Sequence, residues 1–213
     1  MPKTKVFNDY CDEYDEWFEK NRDVFEMELE AVRQLLPPPG SRGAEIGVGT
    51  GNFAVPLGIK VGLEPSEAMA RVARRRGVTV YPGVAEDLPF SSGEFEFVLM
   101  VTCICFFDDV ARAFAEAFRV LKTGGCIVVG FIDRESELGR RYDENRAASR
   151  FYREATFFST PEVLKLLTDA GFECTGIRQA LIPGDTVAPI REGYGAGAFV
   201  VVRCEKTRNL AAN

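Results

Sequence analysis

The amino-acid sequence predicts an α/β fold in which a mostly parallel sheet of seven strands carries helices on both faces. Strand-like and helix-like segments alternate up to residue 132, which is typical of a parallel sheet with right-handed crossovers. The segment Phe95–Cys103 is apolar at nearly every position, as in a parallel strand buried on both faces. A turn with glycine at positions 47, 49 and 51 follows the first predicted strand, and such turns present backbone N–H groups to a ligand.

The size and composition predict a single domain spanning residues 1–213. Hydrophobic residues make up 46% and charged residues 27% of the chain, proportions typical of a folded globular protein. We see no apolar run long enough to span a bilayer and no signal peptide, so we expect a cytoplasmic protein without a membrane partner. The net charge of −6 argues against nucleic acid as a partner, and a monomer or a homodimer is expected.

The chain contains six cysteines and no histidine. No Cys-x-x-Cys pair is present, so we expect no metal site and no nucleophile activated by histidine. A reaction that needs a base would depend on Tyr14, Asp133 or Tyr142. Cys103 and Cys105 lie two residues apart at the end of the fourth predicted strand and should point the same way. They could pack in the core, contact a substrate or bind a soft metalloid.

An amphipathic helix is predicted over residues 10–36, because apolar residues recur there at steps of three and four. Pro37-Pro38-Pro39-Gly40 ends it. We expect this helix to form a lid over the carboxyl ends of the strands. Four of its aromatic residues could pack within the helix layer or close over a substrate: Tyr10, Tyr14, Trp17 and Phe18.

The other elements follow from apolar runs and capping residues. The seven strands are predicted at Gly43–Val48, Ile59–Leu63, Val78–Tyr81, Phe95–Cys103, Cys126–Ile132, Phe172–Leu181 and Phe199–Cys204. Helices are predicted after Asn52, from Ser66, from Asp108 or Asp109, and from Ser159. Residues 134–157 interrupt the alternation and are predicted to be a small helical insertion above the sheet. Its arginines would be either solvated or a clamp for an acidic substrate.

The glycine turn and two nearby acids predict the cofactor. A dinucleotide site needs Gly-x-Gly-x-x-Gly, whereas this turn has glycine at 47, 49 and 51, followed by Asn52. Glu45, just before the turn, suits a ligand with a positively charged amino group. Glu64 ends the second strand, where a carboxylate can bind both hydroxyls of a ribose. An amino-acid end together with a ribose describes S-adenosylmethionine and disfavours a nicotinamide dinucleotide.

These motifs, taken in order, resemble those of class I S-adenosylmethionine-dependent methyltransferases. The resemblance runs from about residue 10 to residue 204. Glu45-x-Gly47-x-Gly49-x-Gly51 resembles their first motif, and Gly62-Leu63-Glu64-Pro65-Ser66 resembles the second. Gly83-x-Ala85-Glu86-x-Leu88-Pro89-Phe90 is similar to the corresponding motif of the ubiquinone and menaquinone biosynthesis subgroup, methyltransferase type 11. The resemblance implies a Rossmann-like fold.

By position, the resemblance also implies a set of cofactor contacts. The glycines would admit the methionine part of the cofactor, Glu45 would lie near its amino group, and Glu64 would bind the ribose. The other implied contacts are Pro65, Ser66 and Met69 around the ribose and adenine, Ala85 and Glu86 at the adenine edge, Val101 and Thr102 beside the methyl group, and Tyr14 above the cofactor. The subgroup's histidine pair after strand four is absent, so the acceptor site is not of the quinone type by sequence.

The function that these motifs predict is direct in-line methyl transfer from S-adenosylmethionine to a small-molecule acceptor, with S-adenosylhomocysteine as product. A nitrogen or sulfur acceptor is favoured because it needs no base once it arrives unprotonated. Cys103 is a further candidate for contact with the reacting groups. The alternative is a sensor or assembly protein that binds S-adenosylmethionine without transferring its methyl group.

Overall fold

The computed structural model describes residues 3–181 and 190–207. In that part of the chain, eight strands form one sheet in the order β3-β2-β1-β4-β5-β8-β6-β7. The strands are β1 (Gly43–Ile46), β2 (Val61–Leu63), β3 (Thr79–Tyr81), β4 (Phe95–Val101), β5 (Leu121–Ile132), β6 (Phe172–Ala180), β7 (Arg191–Glu192) and β8 (Phe199–Lys206).

Helices cover both faces of the sheet and one of its edges. They are α1 (Lys5–Asp9), α2 (Cys11–Lys20), α3 (Arg22–Arg33), α4 (Ala54–Leu57), α5 (Glu67–Arg75), α6 (Val110–Val120), α7 (Glu137–Asn145) and α8 (Thr160–Asp169), with short 3₁₀ segments at Ile104–Phe106 and Arg146–Ala148. Among the described residues, no helix has the length and apolar character needed to cross a membrane.

The sheet is parallel from β3 to β5 and antiparallel beyond. β1 pairs in parallel with β2 and β4, and the parallel pairing continues to β3 and β5 on either side. β8 runs antiparallel to both β5 and β6. Because β8 is reversed relative to both neighbours, β5 and β6 end at the same sheet edge as β1, β2 and β4. Ligands bind at this edge in open α/β sheets.

The predicted α/β fold is confirmed, with one more strand than expected. β7 consists of two residues that pair with Arg178 and Gln179 of β6. A strand this short has no apolar run, so hydrophobic periodicity does not detect it. β4 carries the predicted two-sided burial: Val98 and Met100 pack into one core cluster, while Leu99 and Val101 pack into the other.

Two strand boundaries differ from the prediction. β4 ends at Val101 instead of Cys103, because Thr102 adopts a left-handed backbone with φ of 49° and a 3₁₀ turn follows. β5 begins at Leu121 instead of Cys126, since Leu121 already pairs with Phe95 across an irregular register. Apolar residues continue past Val101, whereas Lys122-Thr123-Gly124-Gly125 interrupt the apolar run before Cys126. The sequence pattern alone therefore places neither boundary.

The N-terminal lid is three helices instead of the predicted continuous helix over residues 10–36. The chain leaves helical geometry at Tyr10, with φ of −128° and ψ of 34°, and at Asn21, with φ of −120° and ψ of 43°. Helical periodicity persists across the break at Asn21, so the pattern predicts one helix there, and α1 precedes the predicted start. The two bends let the segment wrap over the sheet edge.

The insertion at residues 134–157 is only partly helical. α7 begins after Ser136, whose side chain accepts a hydrogen bond from the Gly139 N–H, and the 3₁₀ turn ends at Ala148. The remainder, up to the start of α8, consists of turns and extended chain. The predicted position beside the sheet edge is retained, because Leu138 and Tyr142 of α7 line the same cavity as the strand ends.

Two hydrogen-bond clusters attach the lid to the rest of the fold. The Asn8 Oδ1 accepts bonds from the Ser66 hydroxyl at 2.8 Å and the Ala68 N–H at 3.2 Å. The Asp15 carboxylate accepts from Arg76 at 2.6 and 2.9 Å and from Thr50 and Asn52 of the glycine turn. Burial alone would raise the pKa of Asp15, but these donors hold it below its usual value.

Replacing Asp15 with Asn should lower the free energy of unfolding by about 1–3 kcal/mol at neutral pH, because the donors lose a charged acceptor. Ionised Asp15 stabilises the fold above the pKa of the unfolded chain, and this contribution is lost as pH falls through the lower folded-state pKa. The deficit should therefore shrink below about pH 4. Urea unfolding measures both effects. Glu16→Gln, which removes only an exposed pair with Lys20, is the control; an equal loss in both variants contradicts the assignment.

Candidate active site

A cavity of about 620 Å³ lies at the carboxyl ends of the strands, beneath the N-terminal helices. Its floor is the sheet edge that the parallel topology creates. The strand ends contribute Glu64, Thr102, Ile132 and Leu181 to its wall, and the covering segments contribute Tyr14, Glu28, Tyr142, Phe151 and Tyr152. The N-terminal helices and the insertion thus meet the strand ends around one cavity.

The glycine turn forms the wall at the end of β1. Gly47 and Gly49 line the cavity with positive φ angles of 74° and 56°. A Cβ added to Gly47 would lie 2.7 Å from the Cβ of Cys103, so only glycine fits there. Gly51 lies behind the turn, where an added Cβ would come within 3.5 Å of Ala73 in α5. The predicted turn therefore has two glycines toward the cavity and one that packs against a helix.

Glu64 connects the end of β2 to the glycine turn. Its Oε2 accepts a 2.9 Å hydrogen bond from the Gly49 N–H, and its Oε1 accepts a 2.8 Å bond from the Ser66 N–H. Burial raises the pKa of this carboxyl to about 7, although both amide bonds oppose the shift. A carboxylate oxygen has two acceptor sites, so each oxygen keeps capacity for a ligand hydroxyl.

Glu45 lies behind the glycine turn and is not part of the cavity wall in the described residues. Its side chain is buried, and its Oε2 has no hydrogen-bond partner there. Burial raises the pKa of Glu45 well above its usual value; the Ala54 N–H opposes this shift and the charge of Glu64 adds to it. Glu45 therefore lies close to the turn, as predicted from the sequence, but the turn stands between its side chain and the cavity.

The predicted adenine and ribose contacts divide into two groups. Pro65, Met69 and Ala85 line the cavity. Ser66 is fully buried, and its hydroxyl caps α5 by accepting from the Met69 N–H while it donates to Asn8. Glu86 lines the cavity too, but its Oε1 accepts the backbone N–H groups of Asp108 and Asp109. The side chains of Ser66 and Glu86 thus already make hydrogen bonds within the protein.

Val101 and Thr102 line the cavity at the end of β4, as predicted from their position. Thr102 is held in its left-handed conformation by a 2.8 Å hydrogen bond from its N–H to the Gly130 carbonyl. Leu181, at the end of β6, also has a positive φ of 58° and also lines the cavity. Strained backbone of this kind persists where the surrounding structure enforces it, and it is frequent at functional sites.

The expectation that Cys103 and Cys105 point the same way is wrong, because neither residue belongs to a strand. The Cys103 thiol lies against Gly47 and donates to the Ile46 carbonyl at 3.2 Å, whereas Cys105 packs with Ala155 and Phe157. Burial raises the pKa of Cys105 to about 12 and that of Cys103 well above its usual value. Both groups are therefore thiols at neutral pH, which disfavours metalloid binding by thiolate.

The three candidate bases have different surroundings. Asp133 is buried away from the cavity wall, where its two oxygens accept bonds from the Glu135 N–H and the Thr160 hydroxyl. Tyr14 and Tyr142 do line the cavity. Burial, with smaller effects from Glu64 and Glu28 respectively, raises the pKa of each phenol, so both stay protonated at neutral pH. This arrangement makes Asp133 a turn-stabilising residue and leaves the two tyrosines as hydrogen-bonding groups.

The insertion's arginines do not line the cavity, whose described wall contains none of the six between residues 134 and 153. Arg150 pairs with Glu13 of the lid, and its guanidinium lies 4.3 Å from the centre of the Tyr10 ring. Arg134 donates to Glu162 and to the Phe157 carbonyl. Arg134 and Arg150 thus bind the insertion to neighbouring segments. The alternative that the arginines form a clamp for an acidic substrate is not supported by the described cavity wall.

Glu28 is a cavity residue that the sequence analysis missed. It lies in α3, lines the cavity and is only 5% exposed. Burial raises the pKa of its carboxyl to about 8. A signal was present in the sequence, since residue 28 falls on the same helical stripe as the apolar residues Phe25, Leu29 and Val32. An acid on such a stripe must either find a partner or face a cavity.

The fold and cavity define an α/β protein that binds a nucleotide-type cofactor at the carboxyl edge of its sheet. A methyltransferase domain matches residues 44–129. A Thermotoga maritima protein of known structure is named a SAM-dependent methyltransferase and possible histamine N-methyltransferase. It is 51% identical in sequence, and the two structures superpose with a TM-score of 0.92 over 96% of this chain and 100% of that chain. An uncharacterised Methanocaldococcus jannaschii protein is 43% identical over 204 residues, which are 94% of this chain and 98% of the relative.

A demethylmenaquinone methyltransferase from Symbiobacterium thermophilum is 32% identical over 111 residues, 45% of this chain and 44% of that protein. The chain belongs to the S-adenosylmethionine-dependent methyltransferases, in the type 11 group. The enzyme class and the cofactor class predicted from the sequence are thereby confirmed. Among the described residues, no cluster of three or more His, Cys, Asp or Glu side chains could hold a metal ion.

The buried acid Glu28 should make stability depend on pH in a way that Glu28→Gln removes. Because the folded-state pKa is about 8 and the ordinary value is 4.5, ionisation of Glu28 destabilises the wild type as pH rises between these values. The variant should therefore gain on the order of a few kcal/mol relative to wild type between about pH 5 and about pH 9. Urea unfolding across that range measures the gain. A constant difference, or the same gain in the exposed-site control Glu26→Gln, contradicts the burial of a titrating carboxyl.

Proposed function

We propose that this methyltransferase transfers the methyl group to a nitrogen of a small molecule held inside the cavity described above. The observation that carries the proposal is the character of that space: one recess of about 620 Å³ with an acidic, aromatic wall. Its volume is within the range of roughly 300–1,000 Å³ that small-molecule sites occupy.

The residues around the glycine turn fit S-adenosylmethionine. Gly49 leaves open space beside the turn, and an added Cβ there would first meet the Tyr14 hydroxyl at 3.7 Å. We assign the ribose to Glu64, whose oxygens keep free acceptor sites, and the flanks of the ribose and adenine to Pro65, Met69 and Ala85. Glu45, whose Oε2 lacks a partner among the described residues, would lie beneath the amino-acid end of the cofactor, where a cationic amino group would stabilise its ionised form.

In this arrangement the bound cofactor supplies an activated methyl group, and the protein's task is to align the acceptor and exclude water. The strand-end residues Val101 and Thr102 would form the wall beside the methyl group. Tyr14, Tyr142 and Phe151 would close the space above the acceptor. A direct in-line displacement needs no covalent intermediate with the protein.

A nitrogen acceptor agrees best with the acid–base groups present. The chain has no histidine, and the cavity tyrosines and Cys103 all have raised pKa values, so they are poor bases near neutral pH. A phenol or thiol acceptor would need to lose a proton before it attacks, whereas a neutral amine or ring nitrogen attacks directly. The name of the Thermotoga maritima relative, possible histamine N-methyltransferase, supports the same atom.

The charge of the cavity supports basic acceptors as well. Its described wall contains six acidic side chains (Glu13, Glu28, Glu64, Glu86, Asp108 and Asp109) and two cationic ones (Lys3 and Arg112). Burial raises the pKa of Glu64 to about 7 and that of Glu28 to about 8, so the ionised forms of these two are favoured further when a cation binds beside them. A recess lined mainly by one sign of charge concentrates ligands of the opposite sign. An amine and a sulfonium cofactor are both cations that such a recess attracts.

A panel of small amines, ring-nitrogen compounds, thiols and phenols, read by S-adenosylhomocysteine release, tests this proposal. Nitrogen compounds with an aromatic or apolar body should support release, and matched phenols and thiols should not. Release with phenols or thiols alone would contradict the assignment of nitrogen. Tight S-adenosylmethionine binding without release for any acceptor would favour the alternative of a sensor or assembly protein.

The ribose assignment has its own test. Glu64→Gln should weaken S-adenosylhomocysteine binding about tenfold or more, because a charged hydrogen bond to a hydroxyl is worth about 1.5–3 kcal/mol. Glu67→Gln, three residues along the chain and paired only with exposed Arg74, should leave the affinity unchanged. Calorimetric titration measures both. Equal affinities for wild type and Glu64→Gln would refute the role of Glu64.

A further inference from the structure

We propose that the Glu28 carboxylate binds a protonated nitrogen of the acceptor, and that this nitrogen differs from the one that receives the methyl group. This inference rests on the proposed function and narrows it, because it makes the acceptor a compound with one cationic and one neutral nitrogen. Glu28 is then a specificity-determining residue that holds one end of the acceptor while the other end faces the cofactor.

The first observation is that Glu28 is buried without a counter-charge. It is 5% exposed and lines the cavity, and in residues 3–181 and 190–207 no hydrogen bond or ion pair to its carboxylate is found. Isolated carboxylates in this position cost several kcal/mol, so proteins rarely retain them unless they are paired or coordinate something. The missing partner is therefore a ligand cation that enters the cavity.

The second observation is that the cavity lined by Glu28 is also lined by tyrosine rings. The charge of Glu28 acts on the hydroxyls of Tyr14, Tyr142 and Tyr152, which line the same cavity. The rings of Tyr142 and Tyr152 are stacked with centroids 5.2 Å apart. Ammonium groups are attracted to aromatic faces as well as to carboxylates. A cavity lined by a buried acid and three tyrosines is thus suited to a nitrogen cation and unsuited to an anion.

The third observation is where α3 lies on the sheet. The C-terminal end of α3 is fixed over β6 and β8: the Arg203 Nη1 donates to the Leu35 carbonyl at 2.9 Å, and Arg178 bonds to Gln34. The glycine turn and Glu64 belong to β1 and β2, on the other side of β4 and β5 in the strand order. α3 spans the two sides, because Phe25 in its first half packs against Phe53, just after the glycine turn, with ring centroids 5.3 Å apart. Glu28 lies on the β6 and β8 side of Phe25, and the proposal places the cationic end of the acceptor there.

The charge state of the bound nitrogen separates it from the reacting one. A protonated nitrogen has no lone pair and cannot attack a methyl group. Pairing with a cation stabilises the ionised form of Glu28, and an aliphatic ammonium is a weaker acid than this carboxyl even before pairing. The proton thus stays on the ammonium, and a second, neutral nitrogen is the nucleophile.

The test uses the protein saturated with S-adenosylhomocysteine and two matched pairs of probes. These are histamine with 4-(2-hydroxyethyl)imidazole, and phenethylamine with 2-phenylethanol; in each pair a hydroxyl replaces the ammonium. Calorimetry of the wild type should give at least about tenfold tighter binding of each amine than of its alcohol, as expected for a charge-assisted contact. Glu28→Gln should lose this preference, and Glu26→Gln should keep it.

Three binding results would overturn the proposal. The first two are equal affinity of the wild type for amine and alcohol, and an amine preference that survives in Glu28→Gln. The third is a loss of S-adenosylhomocysteine affinity in Glu28→Gln as large as the loss of amine affinity, which would assign Glu28 to the cofactor. With S-adenosylmethionine, any methylated histamine should carry the new methyl on a ring nitrogen with the ammonium unmodified, as read by NMR of the product. Methylation of the primary amine would refute the two-nitrogen assignment. An amine preference without any methyl transfer would instead count against the proposed function alone.

Discussion

Three carboxyl groups buried around one cavity are the constraint on which this structure depends. Burying a carboxylate is costly unless other groups compensate it, and the fold compensates each one differently. Glu64 receives two backbone N–H groups, which tie the glycine turn to the end of β2. Glu45 receives one, from the start of α4, and keeps an oxygen without a partner among the described residues. Glu28 receives none in that part of the chain, and so it faces the space where a ligand binds.

The cover of the cavity follows from the same constraint. An acid such as Glu28 faces a sheltered cavity only if the N-terminal segment bends around the sheet edge, and the breaks at Tyr10 and Asn21 allow this. Asp15 fastens the middle helix of the lid to Thr50 and Asn52 of the glycine turn through a network completed by Arg76. The lid therefore contacts the glycine turn directly.

Much of the fold and of the cofactor half could be predicted because those features are local. Glycine spacing, an acid at a strand end and a doubly buried strand each depend on a few consecutive residues. The rest depends on contacts between distant segments. The break at Asn21 is invisible to periodicity. Cys103 and Cys105 lie in different surroundings because Thr102 leaves strand geometry, and Asp133 accepts a hydrogen bond from Thr160, 27 positions along. Glu28 could not be assigned to a site from the sequence, because a single acid on an apolar helix stripe does not show by itself that a cavity lies beside it.

We propose that one cavity has a cofactor half at the ends of β1, β2 and β4 and an acceptor half beneath α3 and α7. A crystal structure of the protein with bound S-adenosylhomocysteine decides between this division and its reverse. We expect ribose hydroxyls on the Glu64 carboxylate, sulfur beside Val101 and Thr102, and open space between the sulfur and Glu28. An adenosine bound beneath α3, with Glu28 in contact with its ribose, would refute this division.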